Sequence, residues 1–299
     1  MPYAGELAAL LTAVCWSINS VCFTLAGRRI GSPAVNASRL FMALGMLLVT
    51  HQVLYGHPFP FHAGAARLGA LSLSGLIGFA LGDALLFEAF LLLGPRVAML
   101  LMTLSPVFSA LLAWAFLHQT LSPARMAAIA VTLGGIAWVV AEGSGKDEAD
   151  PHGHRALGVL LGIGGALGQS LGLILSEYGM RGGLPALSAN LVRVVAGTLA
   201  ITAWFLVRGQ FLDQVRRMRD VPATLLVLLG AVTGPFIGVV LSLYAITHGS
   251  MGVAATLMSL SPVILLPLSV FVFRERVSPR AWAGTILSLA GAAALFWVR

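Results

Sequence analysis

Two acids and two arginines carry charge inside the apolar runs of this chain: Asp83 and Glu88, five residues apart, and Arg39 and Arg193, which begin two runs in the matching contexts ASRLF and LVRVV. A carboxylate near the middle of a bilayer costs roughly 2.5 to 3.5 kcal/mol on insertion scales, so each acid has to face protein or water. The chemistry open to it is ion pairing, proton loading or contact with a charged part of a solute. The two acids differ by ~140° around a helix and cannot both face one narrow site. The arginines stand about a turn inside their runs, where snorkelling toward the interface competes with attraction of an anionic group.

Uncharged groups add a second chemistry. Thr12, Trp16, Asn19, Ser20 and Phe23 share one stripe of the first apolar run, and Gln169 with Ser170 repeats its polar part in a later one. An indole beside amide and hydroxyl groups suits an organic ligand, although polar side chains also serve to join helices in lipid. Met102, Met258 and Tyr244 would add adaptable apolar and aromatic walls, or plain core. Ser105-Pro106 and Ser261-Pro262 each put a proline within an apolar run, where the lost backbone donor predicts a kink. Such a kink either improves packing or lines a cavity, with serine or water satisfying the freed carbonyls. Its presence in both copies of a repeat favours the cavity. The candidate substrate contacts are therefore Trp16, Asn19, Ser20, Asp83, Glu88, Met102, Ser105, Gln169, Ser170, Tyr244, Met258 and Ser261. Pro106 and Pro262 are candidate gating kinks, and Arg39 and Arg193 serve charge attraction or pairing.

No enzyme constellation or cofactor site emerges. The seven histidines all fall between apolar runs or at their ends, so no metal or general-base site assembles at depth. The 34 glycines are spread through the runs and form neither a phosphate loop nor a dinucleotide fingerprint, which leaves close helix packing as their purpose. Cys15 and Cys22 lie about 10.5 Å apart along one helix, too far for a disulfide, and read as packing residues.

The elements that must position these groups follow from composition. At 58% hydrophobic and 10% charged over 299 residues, the chain cannot clothe a soluble domain in water and reads as an all-α integral membrane protein. Ten spans are expected: 5–26, 34–54, 68–93, 95–118, 123–141, 156–177, 187–207, 222–248, 250–273 and 279–298. MTLSPVFSALLAWAFLHQTLSP, beginning at Met102, matches MSLSPVILLPLSVFVFRERVSP, beginning at Met258, without a gap. Gly78, Gly82 and Ala89 precede the first copy as Gly234, Gly238 and Ala245 precede the second, and Asn36 and Arg39 correspond to Asn190 and Arg193. Five crossings per copy, an odd number, make the two halves an inverted repeat, the architecture of many secondary transporters. Residues 1–141 form the first five-helix repeat, 142–155 a hydrophilic linker, and 156–299 the second repeat. Apart from Arg39 and Arg193, twelve Lys and Arg fall on one side of this topology and four on the other. The positive-inside rule then puts both termini outside and explains the net charge of +7 without nucleic acid. The expected partners are a small-molecule substrate and the lipid bilayer, with no obligatory protein partner evident. The absence of Lys or Arg before Arg28 makes the first run a retained span rather than a signal peptide.

The motifs WSIN at the first span, ASRLF and LVRVV at the second and seventh, Tyr244-Ala245, and SLSPV followed by FRERVSP resemble, in order and in duplicate, the ten-span EamA-type branch of the drug/metabolite transporter superfamily. The resemblance covers nearly the whole chain and is greatest to the bacterial aromatic amino-acid exporters. It implies a bacterial-type inner membrane location, a central cavity lined by helices of both copies, and export of small metabolites such as amino acids; a drug or nucleotide-precursor exporter is the alternative. A membrane binding protein that transports nothing is disfavoured by polar residues on several spans of an inverted repeat. Glu275 matches an acidic position of the family where the first copy has Gln119, and Glu88 stands where the family more often has an aromatic residue like Tyr244. Since Val239 and Tyr244 replace the acids in the second copy, any proton coupling would depend on the third span alone.

Overall fold

The computed structural model describes residues 3–117, 122–142, 154–248, 251–274 and 277–297. Among them every regular element is helical. Backbone groups in hydrocarbon must be satisfied within the segment, and a long apolar run achieves this only as a helix. The first half comprises α1 (Ala4–Ile30), α2 (Ser32–Tyr55), a short 3-10 turn (Phe61–Ala63), α3 (Ala65–Gly75), a π-helical segment (Leu76–Gly82), α4 (Asp83–Leu101), α5 (Leu104–Leu117) and α6 (Pro123–Glu142). The second comprises α7 (His154–Met180), α8 (Ala186–Val207), α9 (Phe211–Arg217), α10 (Val221–Ala231), a π-helical segment (Val232–Phe236), α11 (Ile237–His248), α12 (Met251–Met258), α13 (Ser261–Phe273) and α14 (Pro279–Trp297). Among the described residues, eight helical stretches are long and apolar enough to cross a membrane. The linker expected at 142–155 lies mostly outside the described residues, as do Gln119 and Glu275.

The longest stretch, Ala65–Leu101, has 37 residues. As an unbroken helix it would reach about 55 Å, well beyond ~30 Å of hydrocarbon. It is broken at Gly94 (φ 77°, ψ 160°), directly before Pro95. Proline disfavours the α conformation of the residue before it, and glycine tolerates positive φ at no steric cost. The Gly-Pro pair thus turns the chain where sequence alone ends the third span.

The Ser-Pro pairs behave differently from the expected kinks. α4 ends at Leu101 and α5 starts at Leu104; α12 ends at Met258 and α13 starts at Ser261. Both prolines therefore stand in the first turn of a new helix, where the missing N–H has no helical acceptor to lose. The break precedes the proline instead of following from it. In the second half this break is tied to α1: Ser261 Oγ donates to Ala13 O (3.2 Å) and Met258 O (3.0 Å), while Ser17 Oγ donates to Ser261 O (3.1 Å).

The two π segments occupy corresponding places, before Asp83 and before Ile237. A widened turn leaves carbonyls without their ordinary i+4 donors. An asparagine supplies the donor in each case: Asn36 Nδ2 donates to Phe79 O (3.3 Å) and Asn190 Nδ2 to Pro235 O (2.6 Å). Asn36 and Asn190 lie on α2 and α8, which pack together through Ala37, Leu40, Ala43, Leu47, Leu191, Val194 and Ile201. At the rim, Asp220 caps α10 by accepting from Ala223 N and pairs with Arg29 at 3.0 Å. The Arg29 guanidinium, followed by the Ala223 N–H, holds the Asp220 carboxyl below its ordinary value.

Helices of the two halves interleave: α1 lies against α10 and α11, and α7 against α3 and α4. The contact of α7 with the π-helical segment before α4 is made through glycine. A Cβ at Gly168 would lie 2.9 Å from Gly82 Cα, a backbone atom that cannot swing aside. We expect Gly168→Ala to destabilise the protein by about 1 to 3 kcal/mol through overpacking, read as a lower unfolding midpoint in detergent. Gly45→Ala, where a Cβ meets nothing within 4 Å, should leave the midpoint unchanged or slightly raised.

Candidate functional site

Among the described residues, a buried ion pair joins α2 to α4. Arg39 Nη2 lies 2.5 Å from Asp83 Oδ2, with the side chains only 3% and 9% exposed. The guanidinium is held from its other edge by Asn36 Oδ1, which accepts from Nε (3.0 Å) and Nη2 (2.7 Å). Its faces are covered by aromatic rings, with the Phe87 centroid at 4.8 Å and Phe79 at 5.6 Å. The second carboxylate oxygen of Asp83 accepts from Gln169 Nε2 on α7, and the same amide donates to Gly78 O at 3.4 Å. Desolvation of both ions opposes this pair, and it persists because nearly every remaining polar valence is satisfied.

A second cation reaches the same place from α8. Arg193 is 4% exposed, and its Cζ lies 4.4 Å from the centroid of Phe79. Its backbone is pressed against Gly75, where an added Cβ would lie 2.0 Å from Arg193 O. The buried cluster therefore contains the side chains of Arg39, Asp83, Gln169 and Arg193, drawn from α2, α4, α7 and α8, with two cations to one acid.

The other expected contacts fall into separate groups. Trp16 and Asn19 are half-buried and face the π segment and start of α11: a Cβ at Gly238 would lie 3.3 Å from Trp16 Nε1, and one at Gly234 2.7 Å from Asn19 Nδ2. Trp16 packs with Tyr244 and Met258 around Ala8, Ala245 and Ala254, and Tyr244 stacks on His248 at 4.0 Å. Ser20 is buried and donates to Ser17 O on its own helix. Ser170 is buried with its hydroxyl 2.7 Å from that of Ser109. Met102 packs among the apolar residues of α4 and α5, and Ser105 is half-buried in the first turn of α5.

Glu88 is half-buried and accepts from Ser32 Oγ near the start of α2. The two acids thus separate, as their angular spacing predicts, each bonding a different level of α2. Arg39 and Arg193 are buried in protein rather than snorkelling to an interface. Four residues that organise the cluster were not among the expected contacts: Phe79 and Phe87, and Asn36 and Gly78, which stood out only as matched positions of the repeat. The spacing Asn-x-x-Arg, present in both halves, carried the signal, since residues three apart share a helix face. Among the described residues no three His, Cys, Asp or Glu side chains are grouped to hold a metal ion.

The energetics of the pair are testable by removing one ion or both. Asp83→Leu strands a buried guanidinium and should cost about 3 to 5 kcal/mol, whereas Arg39→Met with Asp83→Leu should recover most of that loss. Unfolding midpoints of the two single variants and the double variant in detergent measure it.

The fold, though not the site, is matched among solved structures. A solved crystal structure, described only as that of a protein, aligns with 98% of this chain and 96% of its own, at a TM-score of 0.54 and 18% identity, which speaks for the fold alone. No curated protein matches the chain. The model of the EamA-like transporter family matches residues 3–141 and residues 156–297, nearly the whole sequence. With apolar helices long enough to cross a bilayer many times, the chain belongs to the EamA-like transporter family and is a multi-pass membrane protein.

Proposed function

We propose that this protein is a secondary transporter exporting small amphiphilic metabolites, chiefly amino acids including aromatic ones, by alternating access. Its ten helices form two inverted five-helix halves around a central path, residues 1–141 and 156–299, in a bacterial-type inner membrane with both termini outside. The observation that carries this reading is the cluster of Arg39, Asp83, Gln169 and Arg193. It ties α2 and α4 of one half to α7 and α8 of the other, at the depth where the two π segments interrupt their helices. Ion-paired groups buried between halves supply both a polar surface for a solute and a contact that can differ between two packings of the halves.

Trp16, Tyr244 and Met258 provide an aromatic and thioether wall next to α1, which suits a solute with an apolar side chain. Asn19 and Gln169, one from each half, stand half-buried against glycines of the π segments Val232–Phe236 and Leu76–Gly82. The short helices α12 and α13, and the break between α4 and α5, give the ninth and fourth crossings points at which bending opens one end of the path or the other.

Asp83 is already engaged by Arg39 and Gln169, so a proton could load there only by breaking the pair. Flux is accordingly expected to follow the solute gradient. In proteoliposomes containing only this protein, preloaded aromatic amino acid should exit at the same rate with and without an imposed pH gradient. A gradient-dependent rate that disappears in Asp83→Asn would replace facilitation by proton coupling. No flux for any amino acid, with flux for a drug or nucleotide precursor, would replace the substrate class.

A further inference from the structure

The two halves treat their arginines unequally. Arg39 has a carboxylate, Asp83, and the oxygen of the asparagine three residues before it. Arg193 stands in the corresponding place of the second half, with Asn190 three residues before it, but Val239 occupies the position that corresponds to Asp83. Among the described residues, Arg193 Nε and Asn190 Oδ1 are both buried without a hydrogen-bond partner. The guanidinium leans instead on the face of Phe79. A ring face satisfies part of a cation's demand but none of its planar donors.

An ionised guanidinium buried this deeply is expected to hold a carboxylate or phosphate. Asp83 is shared, since it acts electrostatically on both arginines while its oxygens are bonded to Arg39 and Gln169. One positive charge is thus left over. The space beside it is set by Gly78, where the position of an absent Cβ lies 3.4 Å from Arg193 Nη2 and 4.0 Å from Gln169 Oε1. The glycine thus leaves room for about one atom beside the Arg193 guanidinium, with Gln169 across it.

Resting on the transport reading above, we infer that Arg193 is the recognition residue for the carboxylate of the transported solute. The solute supplies to the second half the anion that Asp83 supplies to the first. Arg39 has a bonded counter-ion and is the scaffold member of the pair; Arg193 has none of its own and is the binding member. Loading of the carboxylate converts a cluster with an excess cation into a balanced one. Binding is therefore coupled to how α8 sits against α3 and the π-helical segment Leu76–Gly82.

The experiment pairs each of several amino acids, phenylalanine among them, with its carboxamide. Stabilisation of the purified protein in detergent is followed by unfolding midpoint, and flux is followed in proteoliposomes. The parent protein should prefer each acid over its carboxamide by about tenfold or more in apparent affinity, as expected for a charge-assisted hydrogen bond to a buried guanidinium. Arg193→Gln should erase that preference, and Arg193→Lys should keep part of it. Val239→Asp puts an acid at the position that corresponds to Asp83 and should also erase it. This second variant keeps the idea open to test if Arg193→Gln folds poorly. Equal response to acid and carboxamide in the parent, or a preference that survives in both Arg193→Gln and Val239→Asp, overturns the role of Arg193 and leaves transport standing. Absence of flux and of stabilisation for every solute in the parent overturns the transport reading, and this proposal with it.

Discussion

Burying a guanidinium and a carboxylate together inside an apolar bundle is the constraint on which the rest of this structure depends. The desolvation of Arg39 and Asp83 is offset only if their geometry is held and their spare valences are filled. Asn36, Gln169 and the Phe87 ring perform that task, and each comes with a helix attached. α2, α4 and α7 are thereby fixed relative to one another by side chains that tolerate little displacement. The π segment next to Asp83 belongs to the same arrangement, because Asn36 donates to Phe79 O and orients Arg39 at once.

Glycine makes that convergence possible. Gly168 against Gly82, and Gly75 against the backbone of Arg193, let α7 and α8 approach the broken third span closely enough for Gln169 to bond Asp83 and for Arg193 to lie over Phe79. Without an aqueous phase to drive helices together, such close packing and interhelical hydrogen bonds supply the association. The same helices carry the polar groups and the small residues, so assembly and polar function are built from one set of contacts.

Much of this was legible in the sequence. Helical class, membrane location and the ends of the long helical stretches, though not the breaks within them or the short α9, follow from apolar run length and from Gly and Pro punctuation, of which Gly94-Pro95 is the clearest example. The unusual status of Asp83, Arg39 and Arg193 was legible as charge within apolar runs. Less legible was which acid belongs to which arginine, because helical spacing separates Asp83 from Glu88 without naming their partners. The π segments were not legible, since an inserted residue in a helix alters hydrogen bonding without altering composition. The Ser-Pro pairs gave the right neighbourhood and the wrong local geometry: a proline reads alike in a kinked helix and at the start of a new one. Ser20, Ser170 and Ser261 show the remaining ambiguity, because a hydroxyl that lines a path and one that bonds to a neighbouring helix have the same one-letter code.

The claim at the centre of this account is that polar groups between the halves line a path open in turn to the two sides of the membrane. A single cysteine in place of Asn19, in a protein whose Cys15 and Cys22 have been replaced by alanine, tests it directly. A membrane-impermeant maleimide applied from either side of oriented vesicles should label Asn19→Cys, and a transported amino acid should slow the labelling. Failure of the reagent to reach that cysteine from both sides, in protein that is folded and inserted, would contradict the account.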